Sequence, residues 1–111
     1  MLNQIVLVGR LVNDPEIHKA ENDITYSFIT LAIPRSYKNE DGTYDTDFIK
    51  CKLLNLIATN TKEYCKKGDL IGIKGKIESR TYEKDDEKKY VIEVIAEKVT
   101  FLSSNKESDD E

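Results

Sequence analysis

Aromatic and basic side chains alternate along one predicted strand, residues 44–54. Phe48, Lys50 and Lys52 occupy every second position, so they project from one side of the strand, with Leu54 next on that side. An exposed phenyl ring leaves apolar surface in water unless a ligand covers it. Such a ring can stack on an unpaired nucleobase while neighbouring ammonium groups bind phosphates. The alternation therefore favours a surface that binds single-stranded nucleic acid, although Phe48 could instead pack beneath a loop.

The same aromatic–basic pairing recurs in two predicted loops. Tyr37 follows Arg35 after the second predicted strand, and Tyr82 follows Arg80 after the fourth. Both tyrosines could simply anchor their loops, but three pairings around one predicted face favour binding. The polar side of the fourth strand could extend the basic surface through Lys74 and Lys76.

Residue types that support catalysis or metal binding are scarce. His18 is the single histidine, and the two cysteines, Cys51 and Cys65, are 14 positions apart, which is too small a ligand set for zinc, haem or an iron–sulfur cluster. Asp85 and Asp86 form a carboxylate pair, but the charged run around them is typical of a solvated hairpin tip. No nucleophile-elbow, Walker A, dinucleotide-binding or zinc-protease motif is present. We therefore predict no enzyme activity, no metal and no cofactor, and we expect both thiols to be buried.

Hydrophobic periodicity predicts a small β protein with one helix. The predicted strands are residues 3–12, 24–33, 44–54, 70–78 and 90–102, and the predicted helix is residues 57–65. Pro34 is expected to close the second strand, and residues 79–89 are expected to form a polar connection. Ile71, Ile73 and Ile77 are expected to face the core. This order indicates an all-β OB-fold, a five-stranded Greek-key barrel with one short helix between strands 3 and 4. An SH3-like barrel or an α+β sheet is the competing interpretation.

The composition fits one small soluble domain. The chain has 111 residues, of which 39% are hydrophobic and 34% charged, enough for a single core. No apolar run could span a membrane, and the N-terminus lacks the features of a signal peptide, so we expect a cytoplasmic protein. The formal net charge is −4, and the last nine residues carry −3 of it, which leaves residues 1–102 nearly neutral. We expect residues 1–102 to form the domain and residues 103–111 to form a short acidic disordered tail.

Several stretches of the sequence resemble the bacterial and phage single-stranded DNA-binding protein (SSB) family. They are MLNQIVLVGRLVNDPEI at the start, FITLAI in the second strand, DFIKCKLLNLIATNTKEYCKKGDLIGIKGKIESRTYE in the middle and VIEVIAEKVTFL at the end. Together they cover essentially residues 1–102. The resemblance implies an OB-fold, usually assembled as a homotetramer, around which single strands wrap without sequence preference and without catalysis.

The resemblance also implies particular site residues. Stacking aromatics fall on Tyr37, Phe48 and Tyr82, and a further stacking position falls on Leu54, which is aliphatic here. Pattern and resemblance together predict the phosphate contacts as Arg10, Arg35, Lys50, Lys52, Lys67, Lys74, Lys76 and Arg80.

These observations predict non-catalytic, largely sequence-independent binding and protection of single-stranded DNA during replication, recombination or repair, by a nucleoid-associated protein. The alternatives are an OB-fold module that meets a polypeptide and a protein that binds RNA. Residues 24–33 are apolar on both faces, which a chain of this size cannot cover alone, so we expect a homo-oligomer, with a tetramer implied by the resemblance. The tail lacks the terminal proline–phenylalanine pair of typical family members, so we expect little docking of partner proteins through it.

Overall fold

Five strands close into a barrel, and a sixth strand of two residues extends one edge. The computed structural model describes residues 1–104. Its elements are β1 (Ile5–Leu11), β2 (His18–Lys19), β3 (Thr25–Lys38), β4 (Tyr44–Leu54), α1 (Asn55–Tyr64), β5 (Leu70–Lys84) and β6 (Glu87–Ser103). The predicted helix is confirmed within two residues at its start and one at its end. Strand β2 is not among the five predicted strands.

The ring of strands closes because β1 pairs with two neighbours. It pairs antiparallel with β5 over most of its length and with β3 at its last two residues. The remaining strands follow in the order β5, β6, β4 and β3, and β4 pairs with β6 in parallel. Helix α1 connects β4 to β5, the third and fourth strands of the barrel. This is the predicted Greek-key barrel with its helix in the predicted place.

The core is built by strict alternation on the barrel strands. Inward side chains of β4 and β5 such as Cys51, Leu53, Ile71 and Ile73 are almost fully buried, as predicted. Cys65, just after α1, is buried as well, so both thiols lie in the core. The prediction for Ile77 was wrong, because the pairing of β5 with β1 ends at Gly75 and β5 then continues beyond the barrel, which leaves Ile77 39% exposed.

Two hairpins extend past the barrel, and sequence patterning underestimated both. Strand β3 does not end at Pro34 but continues to Lys38, with Pro34 paired to Thr46. Residues 79–89 are not an irregular connection, because β5 and β6 stay paired as far as Lys84 and Glu87. We call residues 78–91 of this hairpin the arm. Side chains on both faces of the arm are largely exposed, so its sequence has no hydrophobic alternation to detect.

The turn at the tip of the arm is the predicted hairpin tip. Asp85 and Asp86 both have positive φ angles, 55° and 65°, which is the geometry of a two-residue type I′ turn. At the other end of β6, Ser103 is still in the strand, one residue into the predicted tail. The rest of the predicted tail, from residue 105 on, lies outside the described residues. Within residues 1–104, the structure contains no helix of the length and apolarity that crossing a bilayer requires.

Gly75 allows β5 and β6 to approach closely at the register shift. A Cβ atom there would overlap the carbonyl oxygen of Ile95, whereas a Cβ at Gly72 would make ordinary contacts at 3.7 and 3.8 Å. We expect Gly75→Ala to lower the free energy of unfolding by about 1–3 kcal/mol, the usual effect of overpacking. Gly72→Ala on the same strand is the matched control and should leave stability close to that of the wild type. Chemical denaturation of the two variants checks this, and equal stability would contradict the close approach.

Candidate nucleic-acid interface

The outer side chains of β3 and β4 form one continuous surface. Cross-strand partners project to the same side of a sheet, so the register decides which side chains meet. The outward pairs are Tyr26 with Leu54, Phe28 with Lys52, Thr30 with Lys50, and Ala32 with Phe48. We call this surface the basic–aromatic face. It contains all four residues that the alternation on β4 singled out.

Phe48 is the most exposed aromatic ring of the basic–aromatic face. Its side chain is 64% exposed, so it does not pack beneath a loop. Lys50 is also exposed, whereas Lys52 and Leu54 are half-buried. A ring held open to solvent beside Lys50 on a paired strand is available to stack against a planar ligand.

Two aromatic residues of this face were missed by sequence analysis. The Nζ atom of Lys50 lies 4.4 Å from the ring centroid of Phe28, and that of Lys52 lies 5.9 Å away, both in cation–π range. Tyr26 meets Phe28 edge to face at a centroid distance of 5.8 Å, and His18 stacks on Tyr26 at 5.4 Å. The sequence feature that could have identified Tyr26 and Phe28 was the apolar outer side of β3, which we had assigned to a subunit contact. These side chains are half-buried within a single chain, so no oligomer is needed to cover them.

The arm forms the second wall of a groove beside the basic–aromatic face. An open cavity of about 490 Å³ lies between them and is lined in part by Phe28, Lys52, Leu54 and Arg80. Parallel pairing of Lys52 with Ile95 brings β6, and with it the arm, to this position. The Nη2 atom of Arg80 is 3.3 Å from a carboxylate oxygen of Glu93, whose side chain is 14% exposed. Arg80 is therefore in the groove, partly neutralised by an acid.

The other predicted cations are distributed around the face. Arg10 pairs with Ala32, which places it in the same cross-strand row as Phe48, and its guanidinium donates a hydrogen bond to the Gly68 carbonyl at 3.0 Å. Lys67 precedes Gly68 in the chain, so it lies near Arg10 at the Phe48 end of the face. Lys76 sits beside Ile95 and forms an ion pair with Glu78 at 3.2 Å. Lys74 pairs with Val6 and Lys98 on the outer side of β1 and β6, away from the groove.

Tyr37 and Tyr82 lie on strands, not in the loops where we had placed them. Tyr37 is near the end of β3 and is 59% exposed, and Tyr82 is on the arm and is 42% exposed. Within residues 1–104, neither tyrosine ring stacks on Phe48. The three predicted stacking aromatics are thus spread over the two hairpins and the barrel wall.

Arg35 is held by acidic side chains of the neighbouring strand. Its Nε donates to Asp47 Oδ2 at 3.1 Å and its Nη2 donates to Asp47 Oδ1 at 2.9 Å, a bidentate pair. This pair holds the pKa of Asp47 below its ordinary value. The remaining nitrogen, Nη1, donates to the hydroxyl of Tyr37 at 3.1 Å and lies 3.8 Å from Asp45.

Neither a group of metal ligands nor an activated thiol is found among residues 1–104. No group of three or more potential metal ligands occurs within residues 1–104. Burial raises the pKa of the Cys51 thiol to about 11 and, together with nearby Asp69, raises that of Cys65. Both thiols therefore stay protonated near neutral pH, and a protonated thiol is a poor nucleophile.

Comparison with known proteins decides the family. The sequence model of the Single-strand binding protein family matches residues 2–102. This chain belongs to that family. The predicted resemblance is therefore confirmed. The chain is 41% identical over 103 residues to single-stranded DNA-binding protein B of Bacillus subtilis. That match covers 92% of this chain and 91% of the relative. The chain is 42% identical over 103 residues to single-stranded DNA-binding protein 2 of Staphylococcus aureus, covering 92% of this chain and 73% of that relative.

A solved structure of the family supports the fold. The chain is similar to the crystal structure of a deletion mutant of the single-stranded DNA binding protein from Thermus aquaticus, with a TM-score of 0.78 and 29% sequence identity. The match covers 95% of this chain and 52% of that chain. The OB-fold prediction is confirmed. The chain also spans 61% of a 42% identical single-stranded DNA-binding protein from Bacillus cereus, so some relatives of this family are considerably longer.

Proposed function

We propose that this protein binds single-stranded DNA along the basic–aromatic face, without catalysis and with little sequence preference. The observation that carries the proposal is the exposure of Phe48 on the strand that carries Lys50 and Lys52. Every nucleobase has a face that can stack on a phenyl ring, so this contact tolerates any sequence. The names of the relatives, which are single-stranded DNA-binding proteins, support DNA as the ligand.

The groove suggests how a strand would be held. Bases would stack on Phe48 and Phe28, and Tyr37 and Tyr82 would provide further platforms on the hairpins. Leu54 would offer an apolar contact without a π-face. Six of the predicted cations would contact phosphates along this face and groove, namely Arg10, Lys50, Lys52, Lys67, Lys76 and Arg80. Lys74 lies away from the groove and would contact only DNA that continues around the outer side of β1 and β6. A base that stacks on the exposed face of Phe28 would displace the ammonium of Lys50, which then becomes available to a phosphate.

The cellular role follows from this activity and from the family. We propose that the protein protects single-stranded DNA during replication, recombination or repair, in the cytoplasm and in association with the nucleoid. Stacking and ion pairing need no metal or cofactor, so none is proposed.

The first test is a titration with oligo(dT) at several salt concentrations. We expect log affinity to fall linearly with log salt concentration, by about 0.7 for each phosphate neutralised on a single strand. Intrinsic tyrosine fluorescence follows the binding, and duplex DNA and oligo(U) are the competitors. Affinity that does not change with salt, or a preference for duplex, would rule out the proposed function. A preference for oligo(U) would instead point to RNA as the ligand.

The second test separates stacking from packing. Phe48→Ala should weaken oligo(dT) binding by about 1–3 kcal/mol, the range for one base–aromatic contact. Phe28→Leu keeps an apolar side chain in the half-buried position but removes the ring, and we expect a loss in the same range. Tyr64→Ala removes an exposed aromatic residue from α1, away from the groove, and should bind normally. Melting temperatures identify any variant whose weaker binding comes from unfolding, which is the result expected if Phe48 only packs.

We also propose that the protein forms a homotetramer. Val6 and Val8 on the outer side of β1 are 68% and 48% exposed, and Leu102 on β6 is 47% exposed. A Cβ atom built at Gly72 would lie 3.8 Å from Val8 and 3.7 Å from Leu102, so the side chains of Val8 and Leu102 both lie next to Gly72. Such contiguous apolar surface is typical of subunit contacts.

Light scattering tests the assembly. We expect four chains per particle for the wild type at micromolar concentration and a smaller particle for Val6→Asp, because a carboxylate in an apolar contact loses its hydration. Leu56→Asp makes the same change at an exposed residue of α1 outside this patch and should leave the particle size unchanged. A monomeric wild type would contradict the tetramer.

A further inference from the structure

The three nitrogens of the Arg35 guanidinium all have partners on the β3–β4 hairpin. Nε and Nη2 are bound by Asp47 in a bidentate pair, at 3.1 and 2.9 Å, and Nη1 donates to the hydroxyl of Tyr37 at 3.1 Å. Asp45 lies on the same side, 3.8 Å from Nη1, and accepts a hydrogen bond from Asn39 at 3.0 Å. Three of the five N–H donors are therefore already used, and a phosphate could bind the Nε–Nη2 edge only by displacing Asp47.

The charge around Arg35 also disfavours a phosphate. Residues 35–47 contain two cations and four carboxylates, a formal charge of −2. They are Arg35 and Lys38, and Glu40, Asp41, Asp45 and Asp47. The groove differs, because Lys50, Lys52 and Arg80 meet there with Glu93. The phosphates of an approaching DNA strand are therefore attracted to the groove and repelled by this hairpin. A neutral base could still contact the hairpin.

We propose that Arg35 is a positioning residue that holds the Tyr37 ring for stacking, with Asp47 fixing Arg35 in turn. This inference rests on the proposed binding of single-stranded DNA, and it changes the role predicted for Arg35 from a phosphate contact. The planar guanidinium bridges a carboxylate on β4 and a phenol on β3, which restricts a ring that is 59% exposed. Restricting the ring before binding reduces the ordering that binding would otherwise require.

The roles of positioning residue and phosphate contact predict opposite effects for Asp47→Asn. If Arg35 contacted phosphate, Asp47 would compete with the DNA, and removing its charge would tighten binding. If Arg35 positions Tyr37, the same substitution loosens the guanidinium and weakens binding. Glu40→Gln removes one negative charge from the same hairpin at an exposed residue and is the matched control for the change in charge.

The experiment measures oligo(dT) affinity over a salt series for the full chain and its variants. We expect Asp47→Asn and Arg35→Gln each to weaken binding by about threefold to tenfold, part of the contribution of one stacked base. We expect the slope of log affinity against log salt to stay at the wild-type value for both. In a chain that already carries Tyr37→Ala, neither Asp47→Asn nor Arg35→Gln should weaken binding further. Tyr37→Phe, which keeps the ring but loses the hydroxyl that Arg35 binds, should resemble Asp47→Asn.

Three results would overturn the inference. The first is tighter or unchanged binding by Asp47→Asn relative to Glu40→Gln, and the second is a salt slope smaller by about 0.7 for Arg35→Gln, the sign of one lost phosphate contact on a single strand. The third is that the losses are as large in the Tyr37→Ala background as in the wild type. Arg80→Gln is the reference for a true phosphate contact and should reduce the slope. Circular dichroism melting shows whether each variant is folded, and Tyr37→Phe keeps the test valid if a charge substitution unfolds the hairpin. Failure of the wild type to bind oligo(dT) would instead refute the proposed function.

Discussion

A short parallel pairing between β4 and β6 holds the two halves of this molecule in register. Only two pairs define it, Cys51 with Val94 and Lys52 with Ile95. The first pair points inward and joins the core, and Lys52 of the second pair lines the groove. Both hairpins depend on it, because β4 carries the basic–aromatic face and β6 carries the arm. If this pairing shifted by one residue, the core side chains of β4 would exchange places with its lysines.

Electrostatic balance is the second general feature of the basic–aromatic face and its groove. Several cations are already paired in the free protein, Arg80 with Glu93 and Lys76 with Glu78. Lys50 and Lys52, which lie close together, share the ring of Phe28 instead of a carboxylate. These contacts reduce repulsion between like charges when no DNA is present. Because exposed ion pairs and cation–π contacts are individually weak, phosphates can replace them at small cost.

The parts of the structure that bury one face were predictable from the sequence. Alternation on β4 identified the core side chains and Phe48, Lys50 and Lys52 on the opposite side. Prediction failed where both faces are exposed, as on the arm, since pairing there leaves no hydrophobic period. It also failed for Phe28, whose role depends on its register with Lys52, a long-range pairing that the local sequence does not encode. The bidentate contact of Arg35 with Asp47 joins residues 12 positions apart and needs the extended hairpin to form.

The exposure of the arm has a consequence for how the protein loses its structure. The arm contributes few side chains to the core, so it can open by local unfolding while the barrel stays intact. Its backbone amides should therefore exchange with solvent at much lower opening free energies than those of Cys51 or Ile73. A DNA strand that binds the arm would order a segment with little stability of its own. Part of the binding free energy would then offset the entropy lost in that ordering. Sequence changes on the arm can thus tune affinity for a ligand while the global unfolding of the barrel stays the same.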